Sequence, residues 1–220
     1  MELAKRHLAI GSLTAIAISV GFLVSRYLSP PLDVKPNQAV GEVLAEETVR
    51  VLGGQGEVVL VTLDPTLSKA VKIQTESFVR ALKKKRSVTI AATEHLQRSD
   101  ALRADLQKEL PPERFLSLVE TYPQAAIVSL VGAPRLQDTE AAKLPQPPPK
   151  VLAVVRSYKE LQRLFENGLL QVAIVPRCKF PAPVEKPRRL REWFDKYFQV
   201  LTSASELPPE VRTPIERRKD

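Results

Sequence analysis

The chain has 220 residues and a formal net charge of +8, and 44% of its residues are hydrophobic. This length and composition indicate a folded protein of one or two domains and exclude a largely disordered one. The single cysteine, Cys178, excludes an internal disulfide, and His7 and His95 do not have the spacing of metal ligands. We therefore expect neither a metal nor a cofactor.

The positive charge falls in separate short clusters. The main ones are residues 83–86, at the end of a predicted helix, residues 188–191, and residues 217–219. Cations are favoured at a helix C-terminus by the helix dipole. No aromatic residues alternate with them, as a platform for stacking bases would require. The pattern predicts a solvated surface first, contact with anionic lipid headgroups second and nucleic acid last, so we expect no nucleic-acid partner.

An apolar run over residues 8–28 predicts a membrane anchor. About twenty helical residues span roughly 30 Å, which matches the hydrocarbon core of a bilayer. Lys5 and Arg6 precede the run and predict a cytoplasmic N-terminus, while Arg26 and Tyr27 suit the far interface. We predict a single-pass membrane protein that contacts lipid through residues 8–28 and carries its C-terminal domain in the periplasm or outside the cell.

A cleaved signal peptide is the alternative for this segment. Such a peptide usually has an apolar region of about 7–15 residues and ends in a small-x-small cleavage site. The run here is longer, and the sequence Ser-Arg-Tyr-Leu-Ser-Pro at residues 25–30 is a poor cleavage site. An uncleaved anchor over residues 1–29 is therefore favoured.

Alternating helices and apolar strands follow a proline-containing spacer at residues 30–37. Helices are predicted at residues 37–52, 66–82, 98–110, 112–121 and 158–167, the last capped by Ser157. Strands are predicted at residues 57–63, 87–92, 124–131, 151–155 and 171–175. The strands are continuous apolar runs, as in a parallel sheet buried on both faces. We predict an α/β domain over residues 38–177, with a doubly wound parallel five-stranded sheet in the flavodoxin-like order 2-1-3-4-5.

Residues 178–220 are predicted to form a proline-rich basic tail with a short amphipathic helix over residues 190–201. The chain is only 5% aromatic, yet Trp193, Phe194, Tyr197 and Phe198 fall within six positions. Residues three and four apart share a helix face, and such an apolar surface must be covered. We predict that these four side chains dock on a partner or the membrane interface, with packing on the domain as the alternative.

Polar residues follow the predicted strands, at the edge where open α/β sheets bind ligands. The candidates are Asp64, Thr66, Gly132, Arg135 and Arg156. They are suited to an anionic or polyhydroxylated small molecule. The alternative is structural: Asp64 or Thr66 caps the following helix, and each arginine is solvated.

No motif predicts catalysis. Residues 53–56, Gly-Gly-Gln-Gly, close a helix and open a strand, whereas a phosphate loop follows a strand and opens a helix. No serine lies in a G-x-S-x-G turn, and Cys178 has no histidine near it in sequence. Glu94 and His95 are typical of a surface pair. We therefore predict that the protein is not an enzyme.

Several segments carry a family resemblance. They are residues 41–46, the Gly-Gly-x-Gly turn at 53–56, the strand 58–63, the helix end Ser-Phe-Val-Arg-Ala-Leu at 77–82, the strand and turn 122–132, and the strand–helix–strand unit 151–177. With them, the chain resembles one lobe of a type I periplasmic binding protein of the sugar-binding kind. Gln74 stands where these proteins commonly have a basic residue, Ser77 replaces a glycine, and residues 131–134 replace an Asn-Asp turn.

The resemblance implies a sugar bound in a cleft between two lobes, and the sequence provides only one. One lobe would leave most of a small ligand in water, whereas good pockets bury about 70–90% of it. We therefore predict a membrane-anchored extracytoplasmic accessory or interaction subunit of a membrane-associated complex, with a protein partner. The alternative is a sugar- or anion-binding module that completes its cleft with a second lobe or a partner chain.

Overall fold

A six-stranded sheet organises the residues that the computed structural model describes, which are 34–96, 110–158, 160–177 and 187–209. They belong to one unit, Val34–Asp220. The helices are α1 (Val34–Val51), α2 (Lys69–Lys85), α3 (Pro112–Thr121), α4 (Asp138–Ala141), α5 (Leu161–Glu166) and α6 (Leu190–Tyr197), followed by a 3₁₀ turn at Ala204–Glu206. The strands are β1 (Gly56–Leu63), β2 (Val88–Leu96), β3 (Ala126–Ser129), β4 (Val151–Val154), β5 (Leu170–Pro176) and β6 (Phe198–Leu201).

The strand order is β2-β1-β3-β4-β5-β6. Strands β1 to β5 are parallel to their neighbours, and β6 pairs antiparallel with β5. The predicted α/β fold and the 2-1-3-4-5 order of the five parallel strands are confirmed. The sequence analysis did not predict β6.

Helices cover both faces of the sheet. Val58 and Leu60 of β1 belong to a core that includes residues of α1, α2 and α6. Val59 and Val61 face the opposite core, which includes residues of α3 and α5. Because side chains alternate along a strand, a continuous apolar strand supplies both cores.

Several boundaries differ from the predicted ones. Helix α2 begins after Ser68, whose Oγ accepts a hydrogen bond from the backbone N–H of Val71 at 3.4 Å. Helix α5 begins at Leu161, after Glu160 in the left-handed conformation (φ 68°), so the predicted cap at Ser157 is wrong. The short helix α4 was not predicted. Residues 98–109 of a predicted helix lie outside the described residues.

The domain extends beyond both predicted ends. Helix α1 begins at Val34, inside the predicted spacer 30–37. In the tail, the predicted helix over residues 190–201 ends at Tyr197, and residues 198–201 form β6 instead. The free edge of β5 gives these four residues a ladder of backbone partners, so they adopt strand rather than helix.

The predicted membrane span, residues 8–28, lies outside the described residues. Among the residues that the structure describes, no helix is both long and apolar enough to span a bilayer.

Candidate ligand-binding edge

The parallel strands bring the predicted ligand residues to one edge of the sheet. Asp64 follows β1, Gly132 follows β3 and Arg156 follows β4. These three strands are neighbours in the sheet, and the carboxyl ends of parallel strands lie at the same edge. We call this edge the ligand edge, after the usual location of ligands in open α/β sheets.

A tight turn after β1 holds the Asp64 carboxylate. Its Oδ1 accepts hydrogen bonds from the backbone N–H of Thr66 at 2.8 Å and from the Thr66 hydroxyl at 2.5 Å. These bonds, the hydroxyl first, lower the pKa of Asp64 below 3.8, and the nearby His95 lowers it further. Neither residue caps α2, because Ser68 does so. The predicted helix cap at Asp64 or Thr66 is therefore wrong, and the two side chains instead hold the turn, with the half-exposed Asp64 as a fixed anion at this edge.

Replacing Thr66 with valine is expected to raise the pKa of Asp64 towards 3.8, because the hydroxyl that stabilises the charged form is lost. The backbone hydrogen bond remains, so the rise should be partial. Because the pKa of Asp64 is lowered in the folded chain, its charged carboxylate stabilises the fold at pH values above the pKa of the unfolded chain. This stabilisation is lost as the pH falls through the pKa of the folded chain. Titration by NMR measures the shift, with Thr89→Val on β2 as the control. An unchanged Asp64 pKa in the Thr66 variant would contradict the assignment.

The turn after β3 is buried and is held by hydrogen bonds within the chain. Gly132 is buried with a φ of +126°, a conformation that favours glycine. The buried Ser129 accepts a hydrogen bond from the backbone N–H of Val131 at 3.3 Å. The following residues are fixed by the bond from the Leu110 N–H to the Ala133 carbonyl at 3.0 Å. Gly132 is therefore covered by the chain itself and offers no exposed side chain to a ligand.

Two of the predicted cations are exposed at this edge. Arg135 follows the β3 turn and Arg156 follows β4, and the side chains of both are open to solvent. Each already takes part in an interaction within the chain. A ligand would therefore have to share or replace those interactions.

The tail covers the β5 end of the ligand edge. Arg177 donates from Nε to the Asp195 carbonyl at 2.7 Å and from its backbone N–H to the Tyr197 carbonyl at 2.9 Å. Tyr158 donates its hydroxyl proton to the Pro176 carbonyl at 2.6 Å and accepts a bond from Gln199 at 3.1 Å. These contacts join segments distant in sequence, so no local pattern predicts them. The exposed predicted side chains are those after β1, β3 and β4.

Two of the four clustered aromatic residues of the tail are buried, and the other two are half-buried. Trp193 and Phe194 are buried, at 9% and 1% exposure, in the core shared with α1. Tyr197 stacks on Trp193 at a centroid distance of 6.2 Å, and Phe198 lies 5.9 Å from Phe194. Packing on the domain, the alternative of the sequence analysis, accounts for Trp193 and Phe194. Docking through the half-buried Tyr197 and Phe198 stays a prediction.

A pocket of about 260 Å³ lies away from the ligand edge. Its lining includes Leu136, Ala141, Leu144, Pro148, Arg163 and Leu164, and none of the five predicted ligand residues. The Arg163 guanidinium is already engaged there, by the Leu136 carbonyl and by Asp138 at 3.2 Å. In the part of the chain that the structure describes, no three His, Cys, Asp or Glu side chains are grouped to hold a metal.

Comparison with solved structures identifies the fold. A solute-binding protein from Burkholderia graminis, in complex with D-arabinose, is 16% identical with a TM-score of 0.52, over 76% of this chain and 59% of that one. One from Agrobacterium vitis, bound with α-D-tagatopyranose, is 16% identical with a TM-score of 0.52, over 80% and 59%. One from Agrobacterium radiobacter, in complex with D-arabinose, is 14% identical with a TM-score of 0.52, over 80% and 62%.

These neighbours are solute-binding proteins of ABC and carbohydrate transporters, and this chain has the α/β fold of a periplasmic-binding-protein-like lobe. It spans only 59–62% of the length of the three proteins. No model of a protein family matches the chain, and no curated protein matches it in sequence. The resemblance predicted from the sequence is confirmed at the level of fold.

Proposed function

We propose that this chain is a solute-binding module, which binds a sugar or a small anion at the ligand edge and completes its cleft with a second lobe or a partner chain. The observation that supports it is the placement of Asp64, Gly132 and Arg156 after three neighbouring strands of a solute-binding-protein fold. This function was the alternative of the sequence analysis, and the structural neighbours favour it over the accessory role.

The chemistry of the edge suits a polyhydroxylated ligand. The Asp64 carboxylate is an acceptor for hydroxyl groups, and its lowered pKa keeps it charged at neutral pH. Arg135 and Arg156 supply guanidinium donors, which also bind carboxylate or phosphate. Gly132 is buried between these residues and adds no side chain to the site.

A second surface must close the site. The side chains of Asp64, Arg135 and Arg156 all lie on this one lobe, whereas a good pocket buries about 70–90% of a small ligand. The solved neighbours are longer than this chain and bind sugars. A second lobe, another copy of this chain or a different polypeptide would supply the opposite wall.

The apolar run over residues 8–28 supports a location for this module. As an uncleaved anchor it would tether the lobe to a membrane, with the lobe in the periplasm or outside the cell.

Titration calorimetry on the full-length chain tests the proposal, with D-arabinose, D-tagatose, citrate and inorganic phosphate as probes. We expect saturable binding of one class. Arg156→Gln should weaken binding of either class at least tenfold, whereas Asp64→Asn should weaken binding of a sugar at least tenfold but not that of an anion, because Asp64 accepts hydrogen bonds from hydroxyl groups and repels negative charge. Glu76→Gln and Arg80→Gln are matched controls, since both residues are exposed on α2 away from the edge. Equal weakening in the controls would contradict a site at this edge.

The accessory role predicted from the sequence is the second candidate. If no probe binds and a protein co-purifies with the full-length chain in stoichiometric amount, the edge serves as a protein interface. Asp64→Asn and Arg156→Gln should then release that protein, while the two α2 controls should retain it.

A further inference from the structure

Positive clusters that are separate in sequence lie at the amino-end edge of the sheet or point towards it. They comprise Lys83, Lys84, Lys85, Arg86, Lys150, Arg188 and Arg189, which together we call the basic rim. We propose that the basic rim binds the anionic headgroups of a lipid membrane.

The first part of the rim lies where α2 returns to the sheet. Residues 83–86 end α2, and the next residue, Ser87, accepts a hydrogen bond from the N–H of Gly56 at the start of β1, at 3.3 Å. Lys150 directly precedes β4, and its Nζ donates to the Val51 carbonyl at the end of α1, at 3.2 Å. The ends of α1 and α2 therefore lie at the same edge as the starts of β1 and β4.

Helix α6 brings the second cluster to this edge. Its C-terminal residue Tyr197 lies at the opposite edge, where its carbonyl accepts the Arg177 N–H. Near its start, Arg191 pairs with Glu46 in the second half of α1 at 3.7 Å. The start of α6, with Arg188 and Arg189, therefore points towards the amino-end edge. Helices α2 and α6 both pack on α1, so the two clusters are about 20 Å apart at usual helix spacings.

Few carboxylates offset the charge of the rim. Glu47 pairs with Arg50 at 2.6 Å, whereas Glu192 accepts the backbone N–H groups of Arg188 and Arg189 and its charge also offsets part of theirs. The exposed Glu57 at the start of β1 offsets one positive charge. Within the described residues, the side chains of residues 83–86 form no ion pair. The rim therefore keeps a strong net positive charge.

The chemistry of the rim favours lipid headgroups over nucleic acid. Single strands are bound by aromatic stacking beside the cations, and the nearby Trp193 and Phe194 are buried. Exposed lysines and arginines are the usual complement of an anionic leaflet, where each strengthens binding about fivefold.

Co-flotation of the segment 34–220 with lipid vesicles tests the proposal without the apolar run, since Val34–Asp220 forms its own unit with both cores. We expect binding to vesicles that mix phosphatidylglycerol with phosphatidylcholine, little binding to phosphatidylcholine alone, and loss of binding at high salt. Lys84→Gln/Lys85→Gln and Arg188→Gln/Arg189→Gln should each weaken it about twentyfold.

Lys69→Gln/Lys72→Gln is the matched control, because both lysines are exposed on the same helix near the ligand edge. It should change binding less than twofold. No binding to the anionic vesicles, or equal weakening by the control, would overturn the proposal. Tighter binding to duplex DNA than to the anionic vesicles at the same salt would overturn it in favour of nucleic acid.

Discussion

Replacing Phe194 with alanine is expected to lower the free energy of unfolding by about 4 kcal/mol. The ring is 1% exposed, packs in the core shared with α1 and lies against Phe198. Its removal leaves a cavity that the sheet and α1 cannot fill. For a domain of this size the melting temperature should fall by about 10 °C. Thermal unfolding followed by circular dichroism measures the change.

Asp195→Ala is the matched control for this prediction, because its side chain is exposed on the same helix. The substitution keeps the backbone carbonyl that Arg177 uses, so stability should change by less than about 1 kcal/mol. If Phe194→Ala left the melting temperature unchanged, α6 would not belong to the core. Its aromatic side chains would then be available to a partner, as the docking hypothesis requires.

Replacing Gly41 with alanine is expected to destabilise the domain by about 2 kcal/mol. A Cβ at this position would clash with the backbone carbonyl of Gln74 and lie 2.8 Å from the backbone nitrogen of Phe78. Both atoms belong to the backbone of α2, so α1 must move away from α2 to admit the methyl group. Alanine favours a helix by about 1 kcal/mol over glycine, but that gain is smaller than the expected cost of the clash.

Glu42→Ala serves as the control. Glu42 follows Gly41 on α1 and is partly exposed, and its truncation adds no atom against α2. Urea unfolding of both variants gives the comparison. A stabilised Gly41→Ala variant would show that helix propensity outweighs the contact.

The close approach of α1 and α2 at Gly41 also keeps the hydrogen bond from Gln74 Nε2 to Asn37 Oδ1 at 2.8 Å and the bond from the Ser77 hydroxyl to the Gln38 carbonyl.

Gln74 and Ser77, where the chain departs from the pattern of the family it resembles, have structural roles here. The sequence analysis noted them because relatives commonly have a basic residue and a glycine at these positions. In this chain both side chains are buried between α1 and α2 and bond to α1. They belong to a helix interface rather than to the ligand edge, which no spacing along the sequence indicates.

The sequence by itself determined the five parallel strands and their order. Continuous apolar runs such as residues 58–61 can be buried only in a sheet covered on both faces, and right-handed crossovers then leave few topologies. The sequence also placed Asp64, Gly132 and Arg156 at one edge of the sheet, because each follows a parallel strand.

Only the tertiary structure decided the roles of the tail and of the basic residues. Residues 198–201 continue a helical pattern in sequence, yet the unpaired edge of β5 makes them a strand. Lys84 and Arg188 are about a hundred positions apart, and they share an edge because α2 and α6 both pack on α1. Local patterns report which face of a segment is apolar. They do not report which distant segment covers it, since that depends on the free energy of the whole packed core.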